Sequence, residues 1–422
     1  MEQLFQYNHK LQPLLEEVES QISTIHRNID KMIEVNQYRV LKSFQTHRVN
    51  DTYFTPSTGY GYGDIGRDTL EKIYADVFGA EAGLVRSQII SGTHAISIAL
   101  FGVLRPGDEL LYITGKPYDT LEEVVGIRGT NNGSLKEFGI DYNCVDLQEN
   151  GSIDFAAVQA AIKENTKVIG IQRSKGYATR PSFTISEIKD MIDFVKEINP
   201  NVIVFVDNCY GEFVEELEPC HVGADLMAGS LIKNPGGGIV KSGGYIVGKQ
   251  ELVDACSYRM TSPGIGNEAG ASLYSLLEMY QGFFLAPHVT GQALKGAVFT
   301  SALLEKVGLN TSPKWDDKRT DLIQSVQFDN ADMMIEFCQA IQFASPVDSY
   351  VTPYPSYMPG YEDDVIMAAG AFIQGASIEL SADGPIRPPY TAYVQGGLTF
   401  AHVKIAIVTA LDRLIEKGLI TI

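Results

Sequence analysis

Apolar residues recur every three or four positions along the first stretch of the chain. Leu15, Val18, Ile22, Ile25, Ile29 and Ile33 are separated by Glu, Ser, Asn and Lys, so the pattern predicts a helix with one apolar stripe over roughly the first 50 residues. Such a stripe must dock, either on its own domain or on another subunit. The period is lost in "DTYFTPSTGYGYGDIGRD", residues 51–68, where Gly, Tyr, Thr and Ser collect. That stretch reads as a loop, with more aromatic residues than a simple linker carries. From residue 69 the pattern alternates. "TLEKIYADVFG" and "GTHAISIALFGVL", from Gly92, read as helices. Glu81 to Ser87, "DELLYIT", "TKVIGIQRS" and "NVIVFVDNC" read as strands, nearly continuous in apolar or β-branched residues. Between the last two, Ile185, Ile188, Ile192 and Val195 have helical spacing behind Thr184 and Glu187, which stand in capping-box positions. Apolar strands alternating with amphipathic helices imply an α/β fold whose mainly parallel sheet is covered on both faces.

"GGYIVGKQELVDAC" adds a strand and a helix, and 268–308 reads as a long, mostly helical connection. After "NTSPKWDDKRTD" the pattern changes to an α+β unit. There "LIQSVQF", "DVIMAAG" and "ASIELS" read as strands, and "NADMMIEFCQAIQF" and "AHVKIAIVTALDRLIEKG" as helices. The expected division is an arm and loop over 1–68, a large domain over 69–290 and a small domain over 291–422.

Composition narrows the function classes. The 422 residues are 45% hydrophobic and 20% charged, as in a soluble protein of two or three domains. No run of about 18 apolar residues marks a membrane span, and "MEQLFQYNHKLQ" lacks the features of a secretory signal. The formal charge of −19 argues against nucleic-acid or anionic-membrane partners. It leaves room for a small basic pocket. Five scattered cysteines form no C-x-x-C pair, and the histidines show no metal-ligand spacing, so reduced thiols in the cytoplasm and no metal are expected.

Four features fall in loops just after predicted strands, where open parallel sheets gather ligands. Ser91, Gly92 and Thr93 sit where a loop becomes a helix; free N–H groups and hydroxyls there suit a phosphate, or form only an N-cap. Asp207 ends a strand, and its carboxylate needs a cation or several hydrogen bonds, or else belongs to an Asp-Asn turn. Lys233, in "SLIKNPGGG", is a reactive amine if burial or charge frees it; otherwise it is a solvated loop lysine. The glycines after it would let a flat ring lie close to the backbone, and Ser230 could reach the same phosphate. Tyr118, in "GKPYDT", could stack on a planar group or pack under its loop.

In this order the parts are those a pyridoxal phosphate enzyme needs: donors for the phosphate, a stacking ring, an anion for the pyridine nitrogen and an amine for the aldehyde. The chain resembles the fold-type I pyridoxal phosphate enzymes of the Cys/Met-metabolism branch, which holds cystathionine lyases and methionine gamma-lyase. It looks most like the group known as aluminium-resistance proteins. "YGYGDIGRDTLEKIYADVFGAEAGLVRSQIISGTHA", "VDNCYGEF", "GSLIKNPGGGI" and "ELSADGPIRPPY" carry the likeness over nearly the whole chain. The resemblance implies a seven-stranded large-domain sheet. It implies that Lys233 holds the cofactor as a Schiff base, Asp207 pairs with the ring nitrogen, Gly92, Thr93 and Ser230 hold the phosphate beside Ser91, and Tyr118 stacks. It also implies a homotetramer of catalytic dimers, with Tyr60 and Tyr62 reaching a partner's phosphate. The branch's Tyr-x-Arg pattern is absent here, and the nearest arginine is Arg67.

Arg387, in "SADGPIRPPY", is the candidate for gripping a substrate α-carboxylate, since its planar fork matches a carboxylate. Arg173, just past a strand, could serve the cofactor or nothing catalytic. The expected activity is a carbon–sulfur lyase that eliminates a thiol from a sulfur amino acid. Lys233 would act as base, and Lys233 and Tyr118 as proton shuttles. An aminotransferase, a transsulfuration synthase and a catalytically idle binding protein use the same parts.

Overall fold

The computed structural model describes residues 11–421 except 131, 359, 360 and 362. The first ten residues of the predicted N-terminal helix lie outside the described residues. The chain divides into two compact units: Asn36–Leu285, and the chain before Asn36 together with the chain after Leu285.

Both divisions fall inside long helices. The first, α1, is Leu11–Thr46; there follow α2 (Ile65–Phe78), β1 (Ala82–Arg86), α3 (Gly92–Val103), β2 (Glu109–Tyr112), α4 (Asp119–Val125) and β3 (Asp141–Cys144). Next come α5 (Phe155–Ala161), β4 (Thr166–Gln172), α6 (Ile185–Ile198), β5 (Ile203–Asp207), β6 (Leu226–Ser230), β7 (Gly244–Gly248) and α7 (Gln250–Met260). The second long helix is α8 (Leu276–Lys306). The seven strands form one sheet in the order β1-β7-β6-β5-β4-β2-β3. Only β7 runs against the others: its pairings with β1 and β6 are antiparallel, and the remaining pairings are parallel.

The continuous apolar runs follow from burial on both faces. Leu110, Phe205 and Leu226 pack on one face with Ala95 and Ala99 of α3; Leu111, Val204 and Val206 pack on the other with Ile188 and Ile192 of α6. Alternate residues of each strand therefore enter different cores. The capping box of α6 is formed by Thr184 and Glu187 as expected.

The second unit holds β8 (Asn310–Ser312), β9 (Gln324–Gln327), α9 (Ala331–Phe343), β10 (Val365–Ala368), β11 (Ser381–Pro385), β12 (Thr391–Gln395) and α10 (Phe400–Glu416). Its five strands form an antiparallel sheet ordered β10-β11-β12-β9-β8. The stripe of α1 docks on its own chain: Leu15, Val18 and Ile22 are buried with Phe299, Phe337 and Leu411. A Cβ at Gly291 would lie 2.1 Å from the Ile33 side chain, so this approach requires glycine.

Two readings need correction. "ASIELS" is not a strand, because pairing begins only at Ser381. Ile378 and Leu380 are buried, but their backbone turns, and Glu379 accepts the N–H bonds of Phe372 and Ile373 at 2.9 Å each. Loop 51–68 ends earlier than expected, since Asp64 caps α2 and Arg67 already lies in its first turn. No helix among the described residues is long and apolar enough to cross a membrane.

Candidate active site

The carboxyl ends of β4, β5 and β6 and the start of α3 meet at one pocket of about 190 Å³. Ser91, Gly92, Thr93, Tyr118, Asp207, Ser230 and Lys233 all line it, so seven of the predicted residues come together. Each lining residue belongs to the Asn36–Leu285 unit.

The start of α3 is built for an anion. Ser91 caps the helix, its hydroxyl accepting from the His94 N–H at 3.0 Å, and a helix leaves the N–H groups of its first residues, here Gly92 and Thr93, without intrahelical partners. A Cβ at Gly92 would lie 3.2 Å from Cys209 Sγ and 3.3 Å from Ser230 Cβ. Any side chain there would crowd the meeting of α3, β5 and β6. Thr93 and Thr120 share a hydrogen bond between hydroxyls at 2.8 Å. Across the pocket, Tyr118 lies against Gly176, where a Cβ would come within 2.8 Å of its ring.

Asp207 is the last residue of β5, in register with Gln172 of β4. Its Oδ1 accepts from the Cys209 N–H at 3.1 Å. Burial pushes the Asp207 carboxyl above the ordinary range, against the pull of Lys233, Cys209 and Arg180. A further cation beside it would restore the carboxylate. Gln172 Oε1 is a buried acceptor with no hydrogen-bond partner among the described residues.

Lys233 follows β6 by three positions and precedes a tight turn over Asn234–Gly236. The glycines serve that turn. A Cβ at Gly236 would fall 1.8 Å from the Leu231 carbonyl oxygen, and Gly237 and Gly238 have φ of 57° and 77°. None of the three lines the pocket. They fold the backbone that presents Lys233 and do not clear a platform for a ring, which corrects the sequence expectation. Burial opposes the charge of Lys233, while Cys209, Tyr210, Asp207 and Glu212 favour it; the net effect holds the amine above the ordinary lysine range.

A family profile described as methionine gamma-lyase matches residues 11–415. The chain belongs to that family. The protein YnbB of Bacillus subtilis is 76% identical over 96% of each chain. The crystal structure of a carbon–sulfur lyase involved in aluminum resistance from Clostridium novyi is 50% identical, covers 97% of this chain and 96% of its own, and superposes with a TM-score of 0.93. The pyridoxal-5'-phosphate dependent protein YhfS of Escherichia coli shares the fold at 17% identity, with 92% and 97% of the two chains covered and a TM-score of 0.61.

Other predicted residues of this methionine gamma-lyase family member lie apart from the pocket lining. Arg173 is fully buried and does not line the pocket. Its guanidinium donates to Asn208 at 2.8 Å and Gly211 at 3.0 Å and pairs with Glu215 and Glu218. It braces the loop after β5, and its assignment to the cofactor is withdrawn. Arg67 is likewise committed, donating to the carbonyls of Gly61 at 2.8 Å and Gly270 at 3.0 Å. Tyr60 and Tyr62 stack on each other, 72% and 62% exposed, outside the pocket lining. Arg387 belongs to the other unit, in the turn after β11, where it pairs with Asp363 at 2.8 Å. All five cysteines are free thiols.

Sequence reasoning missed Cys209, Tyr210, Gln172, Thr120 and Gly176, all in the lining. Cys209 and Tyr210 directly follow the strand-end "VDN", and that adjacency was the available signal.

Behind the pocket, Glu212 is buried; one carboxyl oxygen accepts from the Tyr245 hydroxyl at 2.7 Å and the other has no partner among the described residues. Burial pushes its pKa up from 4.5 to about 8, against the pull of Tyr245 and Lys233. Between those two values the folded protein keeps a proton that the unfolded chain has released. Raising the pH through this window therefore weakens folding, by up to about 5 kcal/mol. Glu212→Gln keeps the acceptor but cannot ionise. Urea midpoints at pH 5 and pH 9 should show the Gln protein gaining on the parent at the higher pH. An equal change in both proteins would contradict the assignment.

Proposed function

We propose that the protein is a carbon–sulfur lyase that uses pyridoxal 5'-phosphate to release a thiol from a sulfur amino acid. The observation carrying this reading is the convergence of one amine, one buried carboxyl and the open start of a helix in one pocket. The family and the named activity of the Clostridium novyi neighbour support it, and the pyridoxal-5'-phosphate dependence of YhfS supports the cofactor.

The residues present fit that cofactor. Gly92 leaves a cradle that a Cβ would fill. The N–H groups of Gly92 and Thr93, with the hydroxyls of Ser91, Thr93 and Ser230, form a donor set for a phosphate. Asp207, raised by burial, is a carboxyl that a cation such as a pyridinium would return to its ionised form. Tyr118 offers a ring face, and Lys233 the amine that bonds an aldehyde. Tyr60 and Tyr62, exposed in this chain, would serve a neighbouring copy in a homotetramer.

Pyridoxal phosphate, when bound, supplies an electron sink for the pair left behind when the substrate's α-proton departs. The protein's own residues do the rest. With its amine free, Lys233 would take the substrate's α-proton. Asp207 would hold the cofactor's ring nitrogen in its charged form. Arg387 is the proposed grip on the α-carboxylate. Its present pair with Asp363 is half-exposed and worth only about 1 kcal/mol or less. Tyr118 and Lys233 carry the remaining protons. With one water consumed, the products are a thiol, ammonia and a 2-oxo acid.

The test is to incubate the cofactor-loaded protein with methionine, cystathionine or cysteine. Thiol-bearing product and 2-oxo acid should appear in equal amounts without an added amino acceptor. A requirement for a 2-oxo-acid acceptor would indicate an aminotransferase instead, and net consumption of thiol a synthase. No product from any of the three would count against the lyase reading.

A further inference from the structure

The Lys233 ammonium lies over the ring of Tyr210, its Nζ 3.9 Å from the ring centroid. Tyr210 is held there at a conformational cost. Its φ is 73°, in the left-handed region that non-glycine residues seldom occupy. Backbone strain of this kind persists only where surrounding contacts over-determine it. Here Asn234, the residue after Lys233, supplies the restraint: its amide donates to the Tyr210 carbonyl at 3.1 Å and to the Glu212 carbonyl at 2.9 Å. One clamp thus fixes the loop after β5 against the turn that carries the lysine. Gly211, next in that loop, has no room for a side chain because the Arg173 guanidinium fills the space, with its Nη1 2.6 Å from where a Cβ would be. The ring, the clamp and the buried arginine behind them form one assembly.

We propose that Tyr210 is a positioning residue for Lys233: its ring is the platform that receives the lysine cation whenever Lys233 is not bonded to a cofactor. The inference rests on the reading of Lys233 as the reactive amine. A cation over an aromatic face is stabilised by the ring's quadrupole, and more strongly in a desolvated pocket. The other groups facing this ammonium are Asp207 and Cys209 at the end of β5 and just beyond it, and Glu212 behind it. Asp207 already receives the Cys209 N–H, and one oxygen of Glu212 receives the Tyr245 hydroxyl. Tyr210 therefore offers a resting place that competes with neither. The same ring would set how readily the free amine is regenerated, and so how fast Lys233 captures an aldehyde.

The test uses the full chain without added cofactor, treated with trace acetic anhydride at pH 8. Acetylation of Lys233 is counted by mass spectrometry against the exposed Lys241 of the same molecule. Tyr210→Phe keeps the ring and should leave the Lys233 rate within about twofold of the parent. Tyr210→Leu keeps bulk but removes the π face, and the rate should rise roughly tenfold as the cation loses its platform. If the Leu protein does not fold, Tyr210→Asn replaces it, because Asn tolerates a left-handed backbone. A Leu or Asn rate equal to the parent's, or a Phe rate as fast as Leu's, would overturn the proposal. Labelling each protein with pyridoxal phosphate and borohydride separates the two readings. Unlabelled Lys233 would count against the cofactor assignment, while the acetylation ratios would still decide the role of Tyr210.

Discussion

Lys233→Ala is expected to reduce turnover by at least about 10³-fold, because under the proposed function the change removes both the group that would bond the cofactor and the base for the α-proton. Among the described residues Lys233 is the only amine in the pocket lining, so no neighbouring residue there substitutes for it. Lys233→Arg should be nearly as inactive. It keeps the positive charge that Asp207 and Glu212 face but offers no nucleophilic nitrogen at neutral pH. The pair of variants thus separates chemistry from electrostatics. Steady-state thiol release, with circular dichroism to confirm folding, is the measurement. An Arg protein with near-parental activity would mean that charge at this position, and not an amine, is what matters.

Asp207→Asn should lower kcat by roughly 10²-fold or more, the scale seen when a preorganised charge is removed from a developing charge. Asn matches Asp in shape and can still accept the Cys209 N–H, which reaches Asp207 Oδ1 at 3.1 Å. What it loses is the negative charge. Asp207 is buried at the end of β5, and burial already disfavours its ionised form. The side chain therefore becomes a carboxylate most fully when a cation sits beside it, which is the service a pyridine nitrogen requires. An Asn protein that binds cofactor normally yet keeps kcat within about threefold of the parent would remove Asp207 from the mechanism.

The parts of the site that were legible in the sequence are those fixed by one rule, that ligands gather beyond the carboxyl ends of parallel strands. Asp207 ends β5 and Ser91 opens α3, so their places follow from strand and helix patterns alone; Ser230, at the end of a strand that the pattern did not mark, was placed by its nearness to Lys233. The same rule misplaced Arg173. Successive residues at a strand end point to opposite sides, so Gln172 lines the pocket while Arg173 turns to Glu215 and Glu218, carboxylates brought near only by the folded loop. The placement of the Tyr210 ring beneath Lys233 was illegible for a related reason. Its position depends on a left-handed backbone and on a clamp from Asn234, and neither leaves a periodic trace. The glycines after Lys233 were legible as special but not in their purpose. Composition cannot distinguish a glycine that admits a ligand from one that clears its own chain, as Gly236 clears the Leu231 carbonyl. Burial without pairing explains "ASIELS", where apolar content reported a core position and not a strand.

The central claim is that Lys233 is the amine that carries pyridoxal phosphate. The most direct test adds the cofactor to the purified protein, records the visible spectrum before and after borohydride, and maps the reduced label by mass spectrometry. The account predicts a visible band that borohydride abolishes, with the pyridoxyl group then on Lys233. No band with cofactor in excess, or a label on another lysine, would contradict it.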